Sequence, residues 1–575
     1  MRYAVNPRQS KLLDPAETMF SPMALDFMRE DWPGIFRARL LHLMPVDLIG
    51  QSFHPCLGCP TKELYSMAGA MFLKEAFHLT IEETVRHYLT DGRWHYALNL
   101  VPTEVSLSHA TVERYAAIFA GQQDNAAAQA VCDRVTAEFV KALELNISRQ
   151  RLDSTHIFSD MAILGRTRLM GVAIQRFLVQ LKRHHREPYE ALPPEVLTRY
   201  ERSKATMFAD HQGSKEQLRQ KVAEQLLWMV NRFAGDAAVA ARTSYQAMVR
   251  ILKEQCIVQE GKVELRQAVG GQVMQNPSDP DATYDGHKGA GYQVQIAETC
   301  SPDNPVQLIT GVKVEGAGAS DQEALVPMLE ELARQQRQPE ILYADTKYGR
   351  DENVVAAAAR GVELESPVGG TAPQNGDDLS VDDFVIDEQT ETVEVCPNGC
   401  TPVSSEHDEK TGTTVTVMSK ADCERCPFLE QCPVVERREG YVLRHTAAQR
   451  RSAGRRAEQA TEAFREHYSI RAGIESLNSG LKRRMSLGRL RTRGMARMRV
   501  AVVLRCAGWN LFQAVRGLKK LGKGFLAALS AARVACRRFL RLLGRVRAAL
   551  RGQEVLPDPN HRLRRWCLAV AEFQF

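Results

Sequence analysis

Residues 291–316, GYQVQIAETCSPDNPVQLITGVKVEG, decide the fold class. Two β-type runs, GYQVQIAETC and VQLITGVKVEG, flank SPDNP, whose Pro, Asp and Asn favour a turn, so the stretch predicts neighbouring antiparallel strands. Downstream, Ser320 and Glu323 have capping-box spacing ahead of ALVPMLEELARQ, a helix that Pro327 should kink or delay. EILYAD then reads as a short strand ending at Asp345, DENVVAAAAR as a helix and VELESPV as a further strand. Upstream, RLDSTHIF at 151–158 is another β-type run. Between the two, residues 165–257 carry apolar positions at helical spacing, as in MGVAIQRFLVQL and AEQLLWMVNRF. The predicted order is strand, helical insertion, two strands, helix, strand, helix, strand. That is the order of a ribonuclease-H-like α/β core interrupted after its first strand.

Thr61, Thr80 with Glu83 in a capping box, and Ser108 mark helix starts in the N-terminal part. Short helices with basic and aromatic side chains suit the binding of DNA ends, and equally suit plain packing. Beyond the core, residues 369–392 are an acidic, Gly/Asp-rich linker, 393–445 hold a cysteine cluster among short β-type runs, and a long helical stretch begins near Ala447. The expected partition is therefore 1–145 as a helical N-terminal region, 146–368 as the core with its helical insertion at about 160–275, and 369–445 as linker and cysteine-rich module. Residues 446–505 would form a further core helix region and 506–575 a basic C-terminal arm. A chain of 575 residues has room for roughly three to four folding units.

Charge is distributed unevenly. From Gly480 onward there are 23 Lys and Arg against 3 Asp and Glu, which leaves 52 against 66 before it, although the whole chain nets only +6. One end is built for polyanions. No run of about 18 uncharged apolar residues occurs, and MRYAVNPRQSKLLDPAE lacks an export-type apolar stretch, so no membrane span and a cytoplasmic location are expected. Thirteen cysteines in such a chain argue for thiols or metal ligands rather than disulfides.

The most informative segment is YSIRAGIESLNSGLK, residues 468–482. On one α-helix at about 100° per residue, Tyr468, Arg471, Glu475 and Lys482 fall within an arc of about 60°. An ordinary ion pair between Arg471 and Glu475 accounts for only two of the four. Gly473 and Gly480, each costing about 1 kcal/mol in a helix, suggest close approach of a ligand backbone. The spacing Tyr, two residues, Arg, three residues, Glu, six residues, Lys resembles the signature of bacterial insertion-sequence DDE transposases. The resemblance implies that Glu475 is a third metal-binding carboxylate and that Tyr468, Arg471 and Lys482 contact phosphates of transposon-end DNA. It asks further for an Asp on the first core strand and another at the end of the fourth. Asp153 in RLDSTHI and Asp345 in YADTKYG occupy those places, and SDMAILGR and GYQVQIAE also read like family sequence, so the likeness covers most of residues 60–505.

The chemistry such a site performs is strand cleavage and strand transfer. Phosphoryl transfer to a water or a 3′-hydroxyl uses two Mg²⁺ (or Mn²⁺) ions about 4 Å apart, and three carboxylates suffice to hold them because these cations keep several waters. The resemblance implies double-stranded DNA partners, both terminal inverted repeats and target, with a dimer on DNA and association with the nucleoid when bound. The rival expectation is a catalytically inactive, transposase-derived, zinc-containing DNA-binding protein.

Cys396, Cys400, Cys423, Cys426 and Cys432 have the spacing C-x3-C-x22-C-x2-C-x5-C. The first two pairs fit one tetrahedral, structural Zn²⁺, with Cys432 as an alternative ligand, and free structural thiols are the competing reading. Cys56 and Cys59 form a lone C-x2-C without a partner pair.

Overall fold

The predicted strand order is realised in a mixed sheet. The computed structural model describes residues 1–8, 14–203, 206–209, 211–369, 378–387 and 389–522. Its central strands are β1 (Arg149–Ser159), β2 (Gly289–Thr299), β3 (Ile309–Gly316), β4 (Ile341–Ala344) and β5 (Glu363–Glu365). They lie side by side in the order β3-β2-β1-β4-β5. β2 runs antiparallel to both β1 and β3, whereas β4 runs parallel to β1, and β5 parallel to β4. This mixed α/β arrangement is consistent with a ribonuclease-H-like domain.

Burial explains the composition of these strands. Every residue of β2 from Gly291 onward is buried, polar Gln293, Gln295, Glu298 and Thr299 included, because strands flank it on both edges. One face of the sheet packs on α-helix Asp321–Arg334 through Leu152, Leu342, Leu325 and Leu329. That helix begins where expected, but the capping box does not form: Ser320 is the N-cap residue without a side-chain cap bond. Asp321, the first helical residue, is drawn into the sheet instead.

Between β1 and β2 the chain leaves the sheet. Helices α1 (Arg166–His184), α2 (Lys215–Phe233) and α3 (Thr243–Gln255) enclose an apolar core of their own, in which Phe177 lies edge-on to Phe233 with centroids 5.2 Å apart. A two-stranded ribbon, Cys256–Gln259 with Lys262–Leu265, follows. Continuing the labels, α4 is Asp321–Arg334, α5 is Asp351–Ala358 and α6 is Gly473–Arg484.

In the N-terminal part the capping box of Thr80 and Glu83 is present and Ser108 caps the next helix. Thr61 does not start a helix. Glu63 caps Leu64–Ala76, while the Thr61 hydroxyl accepts the Tyr3 amide. A four-stranded antiparallel sheet, Ser404–Asp408, Thr413–Met418, Gly440–Thr446 and Val435–Arg437 in spatial order, carries the cysteine-rich segment.

The chain divides into two compact units, Met1–Gln513 and Ala514–Phe575. Residues 495–513 of the first are helical, as are 514–522 of the second. The rest of the basic arm, from 523 on, lies outside the described residues, as does part of the acidic linker. Among the described residues no helix is long and apolar enough to cross a membrane.

Candidate active site

Strand register brings the two aspartates together. Leu152 on β1 pairs with Ala344 on β4 in parallel, so Asp153 and Asp345 occupy the next position on adjacent strands. Asp153 remains within β1, its side chain 14% exposed. Asp345 leaves the sheet and caps a 3-10 turn, Thr346–Tyr348, its Oδ1 accepting the Lys347 backbone N–H at 2.9 Å. Burial pushes the Asp153 carboxyl above the usual carboxylate range; Arg471 opposes this, while Asp345 and Asp321 add to it. A carboxylate short of water and beside like charges has a strong demand for a cation.

The segment carrying Glu475 is not one continuous α-helix, and the predicted four-residue stripe is broken. An α-helix ends at Tyr468, a 3-10 stretch spans Ser469–Ala472, and α6 begins at Gly473. The cause lies beneath it. Arg151 of β1 donates from Nη1 to the Ile470 carbonyl at 3.0 Å and is fixed from behind by Glu298, whose Oε2 accepts from Arg151 Nε at 2.8 Å. A Cβ at position 473 would collide with the Arg151 guanidinium, and one at 480 with the Trp509 ring. Both glycines are therefore explained by packing within the chain rather than by a ligand backbone.

Tyr468 and Arg471 likewise have partners inside the protein. The Tyr468 hydroxyl donates to the Ala344 carbonyl at 2.7 Å, and burial pushes its phenol up to about 12. Arg471 faces Asp153 at 3.5 Å and Glu475 at 3.8 Å. Glu475 itself is turned outward, 73% exposed, one helical turn beyond Arg471. Lys482, two turns further along α6, is exposed. Asp153 and Asp345 thus sit at adjacent strand ends, Arg471 links Asp153 to Glu475, and the Glu475 side chain faces outward. Among the described residues no three His, Cys, Asp or Glu side chains stand in an arrangement that already clasps a cation.

Two residues absent from the sequence-based set belong to the pocket. Asn478, on α6, donates from Nδ2 to Asp153 Oδ2 at 3.0 Å, while its buried Oδ1 has no hydrogen-bond partner. Its position three residues after Glu475 was the available signal, since such residues share a helix face. Asp321 accepts from Gln295 at 2.9 Å and from the Lys347 ammonium at 3.0 Å.

Residues 395–515 match the family model of the transposase DDE domain. The matched stretch holds Tyr468, Arg471, Glu475 and Lys482 together with all five clustered cysteines. It covers less than half of the chain and does not reach Asp153 or Asp345, whose case rests on strand register. No curated protein and no solved structure matches the chain.

All five cysteines of the cluster, Cys396, Cys400, Cys423, Cys426 and Cys432, line a single cavity floored by Phe384 and Met418. Burial pushes the Cys423 thiol up to about 11, and Cys432, Cys396, Cys426 and Cys400 add to the rise. Cys56 and Cys59 are exposed and far from this group in sequence.

Proposed function

We propose that the protein is a DNA transposase in which Asp153, Asp345 and Glu475 carry metal-dependent strand cleavage and strand transfer at transposon ends. The observation that carries this reading is the Leu152–Ala344 register, which sets two carboxylates side by side at the strand ends. The similarity of residues 395–515, a stretch that contains Glu475, to a transposase DDE domain supports the class of chemistry.

The donor set fits a small hard cation. Asp153 is desolvated, Asp345 has an oxygen not engaged by the Lys347 amide, and the partnerless Asn478 Oδ1 is a further oxygen next to Asp153. Divalent Mg²⁺ or Mn²⁺ bound there supplies activation of the attacking oxygen and stabilisation of the leaving one. Asp153 and Asp345 would hold it from the sheet, and Glu475 would turn inward about its side-chain torsions to complete the set. Arg471, 3.5 Å from Asp153, would meet a phosphate oxygen brought to that carboxylate. Lys482 presents its ammonium on the same helix and gives the DNA backbone a second point charge. Tyr468 braces the end of β4 through the Ala344 carbonyl, which keeps Asp345 at a fixed height.

The same reading includes double-stranded terminal repeats and target DNA as partners, a dimer on DNA, and the Tyr-Arg-Glu-Lys group of insertion-sequence enzymes. It also includes one structural zinc, supported by the five thiols that share one cavity. Among the described residues no three of them already stand at ligand geometry. The outward Glu475 favours the second reading, a catalytically inactive DNA-binding relative.

One experiment separates the readings: cleavage and joining of DNA carrying the flanking inverted repeats, with Mg²⁺ or Mn²⁺. Asp153→Asn, Asp345→Asn and Glu475→Gln should each abolish cleavage and leave DNA affinity largely intact. Near-normal cleavage in any one of them would remove that residue from the site, and a wild-type protein that binds but never cuts would establish the inactive reading.

A further inference from the structure

Asp321 is a buried carboxylate, its side chain 5% exposed, and it lies close enough to influence both Asp153 and Tyr348. An uncompensated buried charge costs several kcal/mol, so its partners need an explanation. Gln295, fully buried on β2, donates to Oδ1 at 2.9 Å, and the Lys347 ammonium donates to Oδ2 at 3.0 Å. Lys347 is two residues past Asp345, and its backbone N–H holds Asp345 Oδ1. The neighbouring Tyr348 hydroxyl donates to Gln295 Oε1, so the same glutamine joins the turn to Asp321 from a second side. Asn353 adds a third tie, donating to the carbonyls of Tyr348 and Gln322 at 3.0 Å each.

The Lys347 ammonium lies within electrostatic reach of Asp321, Asp345 and Asp285, and Asp321 has the largest effect on it. A free ammonium there would pair with the Asp345 carboxylate and compete with any cation seeking it. We propose that Asp321 is a positioning residue that sequesters the Lys347 ammonium, so that the Asp345 carboxylate is left unpaired and open to a divalent cation. This rests on the reading of Asp153 and Asp345 as cation ligands. Asp321 acts through Lys347 and does not itself hold the cation.

The test is Mn²⁺ binding to the full-length protein, followed by the electron paramagnetic resonance of the free ion, with thermal unfolding recorded alongside. Asp321→Asn should weaken the Mn²⁺ binding that Asp153→Asn abolishes by about tenfold, because the released ammonium then opposes the cation at close range. The double change Asp321→Asn with Lys347→Met should restore affinity to within about threefold of wild type, since both the guard and the competitor are gone. A merely structural Asp321 would lower thermal stability in both variants without this reversal. Unchanged affinity in Asp321→Asn, or a double variant as weak as the single one, would overturn the proposal. A wild-type protein with no Mn²⁺ binding sensitive to Asp153→Asn would instead overturn the reading of the aspartates, and with it the role of Asp321.

Discussion

Asn478 lies 325 residues beyond Asp153 in the chain, yet its side-chain amide donates a 3.0 Å hydrogen bond to the Asp153 carboxylate. An ionised carboxylate only accepts, so this contact fixes which end of the amide faces it and leaves Oδ1 pointing away from any donor. Asn478→Ala should lower metal-dependent cleavage by about 10- to 100-fold, the usual cost of losing a partner that orients a metal ligand. Steady-state cleavage rates at a series of Mg²⁺ concentrations check it, and wild-type rates would show that α6 contributes no more than packing.

The buried pair beneath α6 gives a pH dependence. Burial pushes the Glu298 carboxyl from 4.5 up to about 7, against the pull of Arg151. A carboxyl raised in the folded state contributes stability that is fully present below about pH 4.5 and is lost as pH rises through about 7. At 1.36 kcal/mol per pKa unit the ceiling is roughly 3 kcal/mol. Relative to Glu298→Gln, the wild type should therefore lose roughly 1–3 kcal/mol between pH 4.5 and 8. Urea unfolding at intervals across that range reads it out, and parallel curves for the two proteins would contradict it.

How much of this was legible in sequence depends on whether a feature is local. The antiparallel pair of β2 and β3 was legible because its alternation and its turn lie within 26 consecutive residues. Asp153 and Asp345 were placed by their positions at the ends of apolar runs, and the register then made them neighbours. Arg151 was invisible as a structural hub, since nothing near it in sequence announces Glu298 or the Ile470 carbonyl. For the same reason the break at 469–472 was missed: helical periodicity cannot register a guanidinium pressing from another strand. Asp321 is inconspicuous in sequence because Ser320, beside it, occupies the expected cap position.

The cysteine cluster makes its own prediction. Protein purified under reducing conditions should carry about one zinc per chain, and Cys423→Ser should lose the metal and loosen residues 393–445, because a metal that binds only the folded module stabilises it. Elemental analysis with limited proteolysis checks both. Metal-free protein with five freely reactive thiols would leave this module as an apolar pocket lined by sulfur.

The basic arm is tested through salt. Each phosphate neutralised adds about 0.9 to the slope of log affinity against log salt concentration. If on the order of five of the cations beyond Gly480 reach phosphates, truncation at Leu521 should flatten that slope by a few units and weaken binding to all duplexes alike. Filter binding or anisotropy at several salt concentrations measures it. A slope equal to that of the full-length chain would mean that the arm does not contact DNA.

The helical insertion between β1 and β2 has a consequence for the nascent chain. β1 emerges from the ribosome long before its partner exists, and the nine-residue ladder from Gln150 paired with Thr299 to Phe158 paired with Gly291 must wait for well over a hundred further residues. With its own apolar core, the insertion can condense during that interval, when an unpaired strand is most exposed to aggregation. The acidic pocket closes later still, because Arg471, Glu475 and Asn478 are translated after four-fifths of the chain. A nascent chain that ends between Asp345 and Arg471 therefore holds both aspartates without the helix that carries Glu475 and Asn478.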